Sequence, residues 1–109
     1  MAVLVEVSVT PLGKEGASLS DAIVATLRAA EAAGVNYEIG PLGTSLEGDL
    51  DTVLEVVRAM HEACFHLGYP RVITSVRIDD RRDKELSLHS RVEAVTRKLA
   101  EQATHLREN

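Results

Sequence analysis

The segment Val3-Leu-Val-Glu-Val-Ser-Val-Thr10 alternates without a break, with Val3, Val5, Val7 and Val9 on one side and Leu4, Glu6, Ser8 and Thr10 on the other. A helix turns by about 100° per residue and would scatter those valines around its circumference, whereas an extended chain gathers them on one face. The segment is therefore a strand with one face on a core. A strand of this kind needs partners, and the rest of the chain supplies three more extended stretches and three helical ones.

Pro11 and Gly13 close the first strand. Ser18 or Ser20 caps a helix whose apolar positions Leu19, Ile23, Leu27 and Ala30 recur at helical spacing, and Gly34 stops it. Val35–Ile39 alternates again, Gly40-Pro-Leu-Gly43 breaks it, and Thr44–Glu47 runs back as a third strand. Gly48 and Asp49 lead into the strongest helix, with Leu50, Val53, Leu54, Val57, Met60, Cys64 and Leu67 on one broad stripe. Gly68 and Pro70 end it before the fourth strand, Arg71–Asp79. The charged run Asp79–Glu85 is a solvated turn, and Leu88, Val92, Val95, Leu99, Ala103 and Leu106 mark a terminal helix with a narrow apolar seam.

The order is β α β β α β plus a final helix, and each βαβ half carries a crossover helix that packs on one common sheet. This predicts an α+β fold, a ferredoxin-like βαββαβ sandwich with an additional C-terminal helix, as one domain over residues 1–109. Two helices cover one sheet face, so the other carries the function or the partner. By parity that second face holds Leu4, Glu6, Ser8 and Thr10 with Ile73, Ser75 and Arg77. Aliphatic residues among small hydroxyls suit an oligomer interface with polar pockets, and a homo-oligomer is expected. Glu6 and Arg77 face each other across adjacent strands, either as an ion pair or with Glu6 turned to a ligand.

Composition narrows the function classes. With 17 acidic against 12 basic side chains the net charge is −5, which repels a phosphate backbone, and no nucleic-acid partner is expected. No apolar run is long enough to span a bilayer, so no membrane association is expected either. The first residues lack a basic start and Glu6 interrupts their apolar run, unlike a signal peptide. The single cysteine, Cys64, cannot form an internal disulfide, which fits a cytoplasmic location.

Catalytic chemistry finds little support. His61 and Cys64 share a helix side, but no third group orients them, and Cys64 continues the apolar stripe. His61 and His66 miss the i, i+4 spacing of helical metal ligands, while His89 and His105 stand alone. Neither a metal site nor a cofactor is expected, and the chain reads as a non-enzyme. The stretch Gly40–Gly48 is the most unusual, with three glycines, a proline, two hydroxyls and a carboxylate. No Lys-Ser or Lys-Thr follows its glycines, so it is not a phosphate loop. It serves either as turn and helix cap or as a ligand loop.

Pro41-Leu-Gly-Thr44 followed by Glu47-Gly48 and an acidic helix start resembles the thiamine-binding protein family. Further matches are Val9-Thr-Pro-Leu-Gly13, Ser18, Gly34 with Tyr37, His61-Glu62, Gly68-Tyr-Pro-Arg71-Val and Arg82 with Asp83, so the resemblance spans nearly the whole chain. It implies a single ferredoxin-like domain that binds thiamine or its hydroxymethylpyrimidine part without turnover, and a homotetramer formed through the sheets. The positions matching the family's motif are Thr44, Ser45 and Glu47, with Ser8 added from its outward strand position. Carboxylate and hydroxyls suit an aminopyrimidine's amine and ring nitrogens, and stacking falls to Tyr37 or to aliphatic side chains. The alternative is a homo-oligomeric regulatory or interaction protein with no small-molecule ligand.

Overall fold

The computed structural model describes residues 2–108, with side chains to residue 104; His105 and Leu106 of the terminal helix therefore lie outside the described side chains. The alternating segment forms β1 (Val3–Leu12), and Val3, Val5 and Val7 are almost fully buried. Burying each such valine contributes about 1.5–3 kcal/mol over leaving it in water. The strand runs two residues past its expected end, through Pro11. Beyond Val7, β1 pairs only with its neighbour on one side, so a residue without an N–H is tolerated there.

Helix α1 (Leu19–Ala33) starts at Ser18, whose hydroxyl accepts from the Asp21 N–H at 3.4 Å, and ends at Gly34 with φ 71°. That left-handed cap conformation favours glycine. The buried stripe of α1 is Ala22, Thr26 and Ala30, rotated from the Leu19, Ile23, Leu27 and Ala30 stripe expected from periodicity. Small side chains let α1 approach the sheet and the second helix closely, and Leu19 and Ile23 are left on its exposed flank. Strands β2 (Asn36–Ile39) and β3 (Thr44–Gly48) form the hairpin, closed by the Gly40 N–H donating to the Gly43 carbonyl at 2.8 Å.

Helix α2 (Leu50–His66) is capped by Asp49, whose carboxylate accepts from the Thr52 hydroxyl at 2.7 Å and the Thr52 N–H at 3.1 Å. Those bonds, the hydroxyl first, hold the Asp49 carboxyl below its ordinary range. The helix buries Val53, Val56, Met60 and Cys64, while Leu54 and Leu67, expected on the stripe, are exposed. Strand β4 (Arg71–Asp79) and helix α3 (Leu88–Glu108) complete the chain.

The sheet order is β2-β3-β1-β4 with every pair antiparallel, the ferredoxin-like arrangement. Val3, Val5, Val7 and Leu46 meet Ala30, Val53, Val56 and Met60 in the core between sheet and the first two helices. Helix α3 lies on the opposite side. Leu88, Arg91 and Val92 of its first turns stand over the outer sheet face, Arg91 pairs with Asp79, and Val92, Val95 and Leu99 are left about 60% exposed. Leu4 points outward as its parity requires, yet it is 7% exposed. The outer face is thus not bare at this end, because the start of α3 overhangs it.

Candidate functional site

Strand pairing assembles the outer face row by row. Glu38 of β2 lies opposite Ser45 of β3, Ser45 opposite Glu6 of β1, and Glu6 opposite Arg77 of β4. This row crosses the whole sheet. The next row toward α3 is Asn36, Glu47, Leu4 and Asp79, and on the other side Ser8 pairs with Ser75. Neighbours across a strand pair sit about 4.5–5.5 Å apart at Cβ, so these side chains share one surface.

Between this surface and α3 runs a groove of about 510 Å³, within the usual size of small-molecule sites. Glu6, Glu38, Ser45, Arg77 and Arg91 give it polar groups, and Leu4, Leu88 and Val92 give it apolar walls. Glu6 and Arg77 face each other but form no ion pair within 4 Å, and neither Glu6 nor Glu38 has a cationic partner among the described residues. Glu47 differs: it accepts a hydrogen bond from Asn36 Nδ2 at 3.0 Å. Carboxylates without a cation, beside a hydroxyl and aliphatic walls, suit an amine donor or an organic cation.

Gly43 fixes where the hairpin meets this row. A Cβ there would lie 3.0 Å from the Val7 carbonyl oxygen and 3.6 Å from Glu6 Cγ, so the hairpin backbone rests directly against β1. The close approach at this loop is made to the protein itself.

Of the four residues expected to bind, Ser8 and Thr44 line one slot of about 270 Å³ between α1 and the β2–β3 hairpin, whereas Ser45 lines the outer groove. Ser8, Ser45 and Glu47 lie on the outer face, with Ser45 in the groove, Glu47 one row along it, and Ser8 one row away on the other side. Thr44 points inward, buried, as strict alternation along β3 demands. Glu47 does not cap α2 either; Asp49 does. Tyr37 lies opposite Leu46 and packs against the core, so the groove's walls are aliphatic. Sequence reasoning passed over Glu38 and Arg91. Glu38 was findable once the β2–β3 register was fixed, whereas the placing of Arg91 depends on where α3 lands.

The other reactive side chains have structural surroundings. Burial pushes the Cys64 thiol up, away from the thiolate, and Cys64 packs with Ala22 and Tyr69. His61 Nδ1 is 2.7 Å from the Thr74 hydroxyl, and its ring meets Phe65 edge-on at 5.4 Å between centroids. Arg81 with Asp83, and Arg82 with Asp80, pair within the turn after β4; these bonds lower both carboxyls. Among the described residues no cluster of three or more His, Cys, Asp or Glu side chains could hold a metal ion, and no helix is long and apolar enough to cross a membrane.

Comparison with known proteins agrees with the fold. A UPF0045 protein of Methanothermobacter thermautotrophicus is 44% identical over 95 residues, covering 86% of this chain and 96% of that one. The UPF0045 protein YqgV of Bacillus subtilis is 38% identical over 100 residues, covering 88% and 96%. Among solved structures, a hypothetical protein of Methanocaldococcus jannaschii superposes with a TM-score of 0.80 at 35% identity, over 87% of this chain and 96% of that one. The family model described as thiamine-binding protein matches residues 5–96, and the chain belongs to that family.

Proposed function

We propose that this protein binds thiamine or its hydroxymethylpyrimidine part, without catalysing a reaction, in the groove between the outer sheet face and α3. The observation that carries the reading is the row Glu38–Ser45–Glu6–Arg77, where two carboxylates without cationic partners flank a hydroxyl beside the aliphatic walls Leu4, Leu88 and Val92. The amine of an aminopyrimidine donates to such a carboxylate, and the thiazolium of thiamine is attracted by it. A flat ring gains by lying on the aliphatic walls. Ser45 is the hydroxyl of this site; Glu47 and Ser8 flank it, and Thr44 takes no part. Family membership supports the ligand class, and burial, which pushes the Cys64 thiol up, makes that cysteine a poor nucleophile.

Calorimetric titration of the protein with thiamine and with hydroxymethylpyrimidine tests this. Saturable binding is expected, and Glu6→Gln, which keeps size but removes charge, should weaken it roughly ten- to a hundredfold for a bond of about 1.5–3 kcal/mol. Equal affinity in Glu6→Gln would remove the row from the site.

The same surface supports assembly as a homotetramer. Ile73 on the outer face, and Val92, Val95 and Leu99 along α3, leave a single chain with an exposed apolar strip. Light scattering should report about four times the 11.8 kDa chain mass, and Ile73→Asp should lower it, since a carboxylate there would be buried without a partner. A single-chain mass at micromolar concentration would refute the assembly. A tetramer that takes up neither ligand would instead favour an interaction protein.

A further inference from the structure

Helix α3 and the outer sheet face each keep one half uncovered. Leu88, Val92, Val95 and Leu99 recur at spacings of four, three and four, which aligns them as a narrow seam along one side of the helix. The start of that seam meets its own sheet, where Leu88 and Val92 wall the groove. Val95 and Leu99 line no part of it and are 60% and 62% exposed. The radius of gyration is 17.2 Å against about 13 Å for a compact chain of this length, and the long axis is 58 Å, as a helix standing clear of the body requires. On the sheet, the groove reaches as far as the Glu6–Arg77 row. Beyond it along β4 lie Ser75, Ile73 and Arg71, with Thr10 opposite Ile73 and Leu12 opposite Arg71, and Ile73 is 46% exposed.

We infer that the two uncovered halves belong to each other in an assembled pair: the far half of α3 from one copy lies on the Ser75–Arg71 half of a second copy's outer face, and the second copy returns its own α3. This rests on the assembly reading above and adds how the copies meet. The lengths agree. From Val92 to Glu108 the helix rises about 24 Å at 1.5 Å per residue, and from Arg77 to Arg71 the strand spans about 20 Å at 3.3 Å per residue. The surfaces agree as well, because a narrow aliphatic seam needs an aliphatic strip, and Ile73 and the half-buried Leu12 supply one among small hydroxyls. Charge follows the same direction. The residues flanking the seam on one side are Arg91 and Lys98, and no carboxylate flanks it on either side. Arg91 already pairs with Asp79 of its own sheet, whereas Lys98 has no carboxylate partner among the described residues. A second copy's sheet face offers it Glu6, Glu38 and Glu47. The exchange is reciprocal, as a two-fold interface demands, and it closes each groove at its open Glu6–Arg77 end with a helix from the other copy.

Co-expression of an Ile73→Cys chain with a Leu99→Cys chain, followed by a short bismaleimide, tests this directly; Cys64 is 0% exposed and stays unreactive. A covalent dimer is expected in the mixture and only in trace with either variant alone. A dimer formed as fully by Ile73→Cys alone would set sheet against sheet, one formed as fully by Leu99→Cys alone would set helix against helix, and either would overturn the inference. So would the absence of any dimer from the mixture. Light scattering gives a second measure that does not depend on cross-linking. Leu99→Asp, at a position exposed in the single chain, should at least halve the mass, while Glu101→Lys on the opposite side of α3 should leave it unchanged. An unchanged mass in Leu99→Asp would overturn the exchange and leave the assembly standing, whereas a single-chain mass for the parent protein would overturn both.

Discussion

Thr44 and Ser45 are adjacent in the chain and belong to opposite worlds. Thr44 and Leu46 face inward, where Val3, Val5 and Val7 meet α1 and α2 and every large side chain is held by its neighbours. Ser45 and Glu47 face outward, in a surface of carboxylates, hydroxyls and arginines that packing against the first two helices does not constrain. The fold is stabilised on one face, which frees the other to carry unpaired charge. A carboxylate such as Glu6 is tolerable there because water can reach it until a ligand replaces the water.

If that division holds, substitutions on the two faces should separate stability from binding. Leu46→Ala should destabilise by about 2–5 kcal/mol in urea unfolding, while Ser45→Ala one residue away should stay within about 0.5 kcal/mol. Comparable losses for the two would erase the distinction between the faces.

Cys64 sharpens the inward side. Cys64→Ala should cost about 1 kcal/mol through a small cavity and leave thiamine affinity unchanged, checked by melting and titration on the same variant. The raised thiol pKa adds a pH dependence. The native state favours the protonated thiol, so this contribution is complete below the unfolded value near 9.0 and declines as pH rises from there through the folded value. Unfolding at pH 8 and pH 10 should show a smaller alkaline loss in Cys64→Ala than in the parent protein.

The smallest effect belongs to the cap between the two regimes. Asp49 has a lowered folded pKa, so its contribution is present above its unfolded value near 3.8 and is lost as pH falls through the folded one. Asp49→Asn should therefore flatten the acid limb of the stability profile, whereas Glu47→Gln, which caps nothing, should leave that limb in place. The reverse ranking would return Glu47 to the helix start.

Element order, the sheet and most boundaries were legible because alternation and helical spacing are local properties of the chain. The rotation of α1 was not: periodicity selects the bulkiest stripe, and close approach to α2 selected Ala22, Thr26 and Ala30 instead. The burial of Leu4 was hidden for a different reason, since parity says which way a side chain points but not that a helix from the far end of the chain will overhang it. The site residues fell between these cases. Alternation along Thr44–Glu47 already separates Thr44 from Ser45 and Glu47; reading the stretch as a loop obscured it. Glu38 became visible only through its register with Ser45.

The central claim is that ligand binds on the outward face, and a methyl-resolved NMR titration with thiamine tests it most directly. The account predicts saturable shifts at Leu4, Leu88 and Val92, which wall the groove, with Ile23 and Met60 of the inner slot unmoved. Shifts at Ile23 and Met60 with Leu4 and Val92 silent would place thiamine on the inner side of the sheet and contradict it.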